Sequence, residues 1–249
     1  MTDTSDTFFI GWLGSLPTRL RLFLRSLSAA LALGLCALGL IFSVSGDDPG
    51  SGDFDWTAGA QTVRGVLTLT PYPMIHTVGP NKSGAVRSVV LVGVGKHGAP
   101  LDGGQAQGSS VTLDGYTLRR GGIEMLQVED PPAVIANTGL SIQPVKLGRW
   151  RISGEICDGK CYLGAMKPGS GLAHRACAHL CLGGDVPAIL VASGSVAGSD
   201  FLLLADADGN APSQQLRSLV AVPVLVEGNV ERIGSIAIIK VDHIEPLSP

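Results

Sequence analysis

From Ser26 to Gly46 the chain runs 21 residues without a charge. Leu27, Leu31, Leu33, Leu35, Leu38, Leu40, Ile41, Phe42 and Val44 dominate that run. As a helix rising about 1.5 Å per residue it covers roughly 30 Å, the thickness of a bilayer core. One transmembrane helix is therefore expected at residues 26–46. Arg19, Arg21 and Arg25 precede it, while Asp47, Asp48, Asp53 and Asp55 follow. Basic flanks stay in the cytoplasm, so residues 1–25 are expected inside and everything beyond the helix outside. In a bacterium this describes a single-pass protein of the inner membrane with a periplasmic C-terminal part. Phe8, Phe9, Ile10, Trp12, Leu13 and Leu16 suggest that the leading segment lies along the membrane surface. A cleaved signal peptide is the alternative, since Ser43-Val44-Ser45 resembles a small-residue cleavage site. Against it stand the long, aromatic leading segment and an apolar run exceeding a usual signal core. Cys36, in mid-run, reads as a small apolar residue.

The exported part must fold with few charges and many glycines: 16% charged residues, 5% aromatic, and 34 glycines overall. That balance fits short strands and tight turns better than a helical bundle. The net charge of -3, with no dense basic run after the anchor, excludes nucleic acid as an expected partner. Residues 47–56 read as a flexible acidic linker.

Beyond the linker the chain repeats itself at an offset of 113 residues. Gly115 pairs with Gly228, Arg119 with Arg232, Gly121 with Gly234 and Val128 with Val241, and Val89-Val90-Leu91 falls on Leu202-Leu203-Leu204. Each copy ends in a strand, a turn at Arg-x-Gly and a second strand alternating apolar and polar residues, a hairpin pattern. The expected fold is mainly β. One N-terminal transmembrane helix precedes two tandem OB-like small barrels, at 57–132 and 133–249, with a plain β-sandwich as alternative. Gly65 precedes Val89 by 24 residues and Gly154 precedes Leu202 by 48, so the second copy carries an insertion of about 24 residues. All four exported cysteines fall there, within residues 157–184.

The insertion holds Cys157, Cys161, His174, Cys177 and Cys181. Ser170 is placed to cap a short helix that Gly183 and Gly184 end, with His174, Cys177 and Cys181 on one face. Two disulfides are the first reading for thiols in an oxidising compartment, with Cys157–Cys181 and Cys161–Cys177 the preferred pairing. A Cys₃His metal site from Cys161, His174, Cys177 and Cys181 is the second, suited to zinc or to an iron–sulfur centre. Thiol redox catalysis is a third, weakened by the lack of a Cys-x-x-Cys at a helix start. Asp158 has no partner carboxylate at a telling spacing. Tyr116 and Trp150 are too few and scattered for an aromatic ligand platform. No nucleophile elbow, phosphate loop or dinucleotide fingerprint occurs, and no enzyme activity is expected.

The run Gly154-Glu-Ile-Cys-Asp-Gly-Lys-Cys161, followed by His174-Arg-Ala-Cys177 and Cys181-x-Gly-Gly, resembles a family of bacterial exported proteins. Their pattern is Gly-x-[Ile/Val]-x-Asp-x-Lys-Cys…His-x-x-Cys-x-x-x-Cys, on an OB-like domain behind a single anchor. The resemblance covers about 30 residues; it implies the exported compartment and singles out Cys161, His174, Cys177 and Cys181. Cys157 lies outside that core set, which leaves room for one disulfide beside a His/Cys pair. The expected role is a non-catalytic accessory subunit of a bacterial inner-membrane complex, respiratory or photosynthetic, docked on membrane subunits. A periplasmic metal-binding or electron-transfer protein is the alternative.

Overall fold

The computed structural model describes residues 16–45, 50–78, 85–213, 216 and 218–247. The surface segment expected around Phe8–Leu13, and Asp47 and Asp48 of the linker, lie outside these residues. The chain divides into two units, residues 1–48 and 49–249.

The first unit is one helix, α1 (Thr18–Ser45), with Thr18–Ser43 long and apolar enough to cross a membrane. It begins one turn or more earlier than the uncharged run and takes in all three arginines. Pro17 stands just before its first residue, where a missing N–H costs no intrahelical bond. Arg21 bends back to donate to the Leu16 carbonyl at 2.8 Å. Leu33, Leu35 and Phe42 are about seven-tenths exposed.

The second unit is β-rich and carries the repeat. Its first module contains β2 (Gln61–Thr68), β3 (Met74–Val78), β4 (Val86–Val92), β5 (Ser109–Arg120) and β6 (Ile123–Val128). Strands β5, β2, β3 and β4 pair antiparallel in that order, β4 pairs parallel with β6, and β6 returns antiparallel to β5. The second module contains β8 (Val145–Asp158), β9 (Ala188–Val196), β10 (Ser199–Ala205), β11 (Pro223–Ile233) and β12 (Ile236–Pro246). These form a closed barrel in the order β10-β12-β11-β8-β9, with β10 and β12 parallel.

The pairings correspond strand for strand, and so does the register. Val90 opposite Met125 becomes Leu203 opposite Ile238, and Gly115 opposite Val128 becomes Gly228 opposite Val241, each at the offset of 113. The repeated glycines have a steric cause. A methyl on Gly115 or Gly228 would run into the backbone carbonyl of Gln127 or Lys240. On Gly65 or Gly154 it would meet that of His76 or Val191. These are the places where neighbouring strands approach too closely for any side chain.

Three boundaries differ from those the sequence suggests. Asp53–Phe54, inside the expected linker, forms β1 against Leu118 and Arg119 of β5. Ala133–Asn137, expected in the second module, forms β7 and also pairs with β5. β5 is long enough to offer hydrogen bonds beyond its other partners, so it recruits both flanking segments. The insertion itself lies between β8 and β9, from Gly159 to Pro187, where the first module has only Leu69 to Pro73.

The two modules share a core. Each has its own cluster, around Leu67, Ile75 and Leu91 in the first and Ile156, Leu190 and Leu204 in the second. Met74, Val90, Leu118 and Met125 of the first module pack with Cys157, Leu163, Ile189, Leu203 and Ile238 of the second in one further cluster. Burial of this size is non-directional but large, about 1.5–3 kcal/mol for each fully buried large apolar side chain. Hydrogen bonds fix the registration: Ser88 Oγ donates to the Ile233 carbonyl at 2.9 Å, and Ser88 N–H donates to Ser235 Oγ at 2.9 Å. The Arg120 guanidinium lies 4.0 Å above the Tyr162 ring.

Candidate metal centre

Every element of the insertion starts from the end of β8. Asp158, the strand's last residue, is wholly buried, and a buried carboxylate needs partners for its oxygens. Oδ1 accepts from the Cys161 backbone N–H at 2.9 Å, and Oδ2 meets His174 Nε2 at 2.8 Å. Asp158 thus ties the strand to both later segments of the insertion. Cys161–Ala165 form one wide, π-helical turn, kinked at Gly164 with a φ of 127°. Gly164 lies directly against the backbone of Gly52 and Asp53, leaving no room for a side chain.

Beyond this turn a short 3₁₀ segment, Leu172–His174, leads into α2 (Arg175–Gly183). The helix therefore starts later than the sequence suggests, and no side chain caps it. Ser170 is not its cap; the nearby Gly171 N–H is instead taken by Glu155 Oε1 at 2.6 Å. Cys177 and Cys181, one turn apart on α2, face Cys161 across the insertion. The three sulfurs lie within 4.8 Å of one another, and Cys161 Sγ is 3.9 Å from Cys181 Sγ.

The expected two-disulfide scheme is not supported: all five cysteines are free, with no sulfur pair at bonding distance. Cys157 cannot join the others because β8 turns its side chain into the core shared by the modules, where it is 2% exposed and donates to Glu155 Oε1. The expected Cys₃His set is also rearranged. His174 groups with Asp158 and Cys161, while Cys161, Cys177 and Cys181 form a separate triangle, with Cys161 common to both.

Two lysines complete the site, neither of them among the candidate ligands read from the sequence. The Lys160 ammonium is buried and donates to the Gly93 and Gly95 carbonyls at 2.6 and 2.8 Å. That contact draws the β4–β5 loop of the first module over the insertion. On the same loop Lys96 places Nζ 2.7 Å from Cys177 Sγ and 3.7 Å from Cys181 Sγ. Two residues on, the Gly98 N–H donates to the Gly184 carbonyl at 2.7 Å and holds the loop against the end of α2. The candidate centre thus belongs to both modules. A lysine beside Cys161 inside the motif was a usable signal; Lys96, 81 residues from Cys177, offered none beyond its glycine-dense loop.

The electrostatics divide the thiols. The hydrogen bond with Cys181, reinforced by burial and the Asp158 charge, pushes the Cys161 thiol up from its ordinary value. That same bond draws the Cys181 thiol down, against burial and with help from the Lys96 charge. Burial pushes Cys157 up, as befits an inert core thiol. The hydrogen bond to Cys177 raises Lys96, and burial lowers Lys160.

Metal geometry can be tested against these distances. Thiolates held about 2.3 Å from one tetrahedral zinc stand about 3.8 Å apart. The 3.9 Å between Cys161 and Cys181 fits that separation. An iron–sulfur cluster ligates no more than two cysteines on any one iron, so three sulfurs all within 4.8 Å of one another suit a single soft ion better.

Elsewhere, aromatic residues that looked scattered are brought together by β1. Trp56 lies tilted against its neighbours, 4.0 Å from Phe54 and 5.3 Å from Tyr116 between ring centroids. Trp150 takes no part and instead donates to the Leu147 carbonyl. Compared with protein-family models, curated proteins and solved structures, the chain matches none.

Proposed function

We propose that this chain is a membrane-anchored exported protein that binds one soft divalent ion, zinc in the first instance, through Cys161, Cys177 and Cys181. The observation that carries the reading is the convergence of three unpaired sulfurs at a spacing that suits one ion. Charge supports it as well: three thiolates and a dication leave one negative charge, and Lys96 lies against it. Metal ligation would also keep three adjacent thiols from pairing in an oxidising compartment. In this reading Asp158 and His174 serve as supporting residues, the carboxylate fixing the turn that carries Cys161.

Both modules are read as OB-like barrels, because their strands pair in one order around a single parallel pair. The helix α1 is read as the anchor, with the arginine-rich side in the cytoplasm and the β unit in the periplasm of a bacterium. A second reading, the non-catalytic accessory subunit of a respiratory or photosynthetic membrane complex, is favoured by one observation. Strand β7 is exposed along its whole length despite its apolar sequence, with Ile135 at 55%.

The test uses the full chain, purified in mild detergent under reducing conditions, with metal content measured by mass spectrometry. One zinc per chain is expected, lost in Cys161→Ser, Cys177→Ser or Cys181→Ser and retained in Cys157→Ser. Metal-free protein whose Cys161, Cys177 and Cys181 thiols all react with an alkylating agent would overturn the reading. Co-purification of stoichiometric membrane subunits would support the second reading, and a chain purified alone from native membranes would count against it.

A further inference from the structure

A zinc site built for structure surrounds the ion with four protein ligands, whereas a working site leaves one position open. A fourth tetrahedral ligand beside three thiolates must stand roughly 3.6 Å from each sulfur. His174 is the residue that the sequence pattern offers for that place. It is grouped with Asp158 and Cys161, and neither of its ring nitrogens is grouped with all three sulfurs. What lies against the triangle instead is the Lys96 ammonium, close to Cys177 and Cys181. An ammonium has no lone pair and cannot ligate; it is a mobile counter-charge on a flexible stem. The side it covers is the accessible one. Cys177 and Lys96 are partly exposed, while Cys161 and Cys181 are buried.

We propose that the metal site takes only three ligands from the protein, and that its fourth position, beneath Lys96, accepts a small-molecule thiolate from solution. The proposal rests on the metal-binding reading above. A thiolate matches the softness of the three ligands present. Its negative charge suits a position faced by an ammonium. The donor must be small, because only the Cys177 edge of the triangle reaches solvent.

Cobalt(II) in place of zinc makes the coordination visible, since its ligand-field absorption reports the number and kind of ligands. The full chain in detergent, loaded with cobalt, is titrated with 2-mercaptoethanol, and metal content is checked after desalting. A saturable spectral change with cobalt retained is expected, and it needs no variant. Once loaded with cobalt, His174→Asn and His174→Ala are expected to show the same thiol-induced change, whatever metal affinity they lose with the Asp158 contact. Lys96→Gln should weaken thiol binding at least about fivefold, as loss of one nearby charge implies, and Lys96→Arg should restore it. A spectrum indifferent to thiol in the wild type would overturn the proposal whatever the variants show, and alteration in both His174 variants would mark His174 as the fourth ligand of a closed Cys₃His site. Both outcomes leave the metal reading intact. Failure to take up cobalt or zinc would instead overturn the metal reading itself.

Discussion

Replacing Met125 by alanine tests the claim that the two modules stand or fall together. Met125 is fully buried on β6 of the first module and belongs to the shared core. Its Cε fills the space where a Gly159 side chain would go, beneath the turn that carries Cys161. Truncation removes three heavy atoms' worth of contact at a point where neither module can close over the gap alone. Such large-to-small changes cost about 2–5 kcal/mol, depending on how far the site collapses. In a unit of roughly 200 residues each kcal/mol moves the melting temperature by about 2–4 °C, so a loss of about 3 kcal/mol gives roughly 6–12 °C. Thermal unfolding of the full chain in detergent would be followed by fluorescence in a Trp12→Phe background. Single-tryptophan variants there leave Trp56 to report on the first module and Trp150 on the second. Both probes should show one coincident transition, displaced equally by Met125→Ala. If the Trp56 signal moves while the Trp150 signal stays, the cluster is a contact between independent domains, and the shared-core argument fails.

Asp158→Asn keeps the shape of the buried carboxylate but not its charge; we expect roughly 10–100-fold weaker zinc binding in competition with a chromophoric chelator. Unchanged affinity would show that Asp158 does not hold the Cys161 turn in place. Gly228→Ala drives a methyl into the Lys240 carbonyl and should cost about 2 kcal/mol or more in denaturant unfolding. Gly122→Ala, which meets open space, should stay within about 0.5 kcal/mol. His76 lies buried between Thr68 Oγ1 and Ser88 Oγ, and burial lowers its pKa to about 4 from an ordinary 6.5. Below pH 6.5 the unfolded chain therefore binds a proton that the folded chain refuses. Stability should be level above that pH and fall between pH 6.5 and about 4, by about 3 kcal/mol in all. His76→Gln should flatten that slope in denaturant titrations at successive pH values.

The β repeat was legible because strand pairing at a fixed register leaves a fixed spacing of glycines and apolar pairs. Gly115 and Gly228 stand 113 residues apart and face their partner strands in the same way. The same spacing located the insertion, because extra residues between β8 and β9 shift one strand against its counterpart. Element ends were less legible. Whether Asp53–Phe54 or Ala133–Asn137 pairs with β5 depends on free hydrogen-bonding edges, which no local pattern records.

The sequence by itself determined the long apolar helix, the β class, the duplication and the clustering of four cysteines in one insertion. All are consequences of local periodicity and spacing. Only the tertiary structure decided how those cysteines divide. β8 turns Cys157 into the core between the modules, and Asp158 claims His174. Lys96 arrives from the first module to face the remaining thiols. Each of these depends on distances between residues far apart in the chain, set when burial of a shared apolar surface presses one module onto the other.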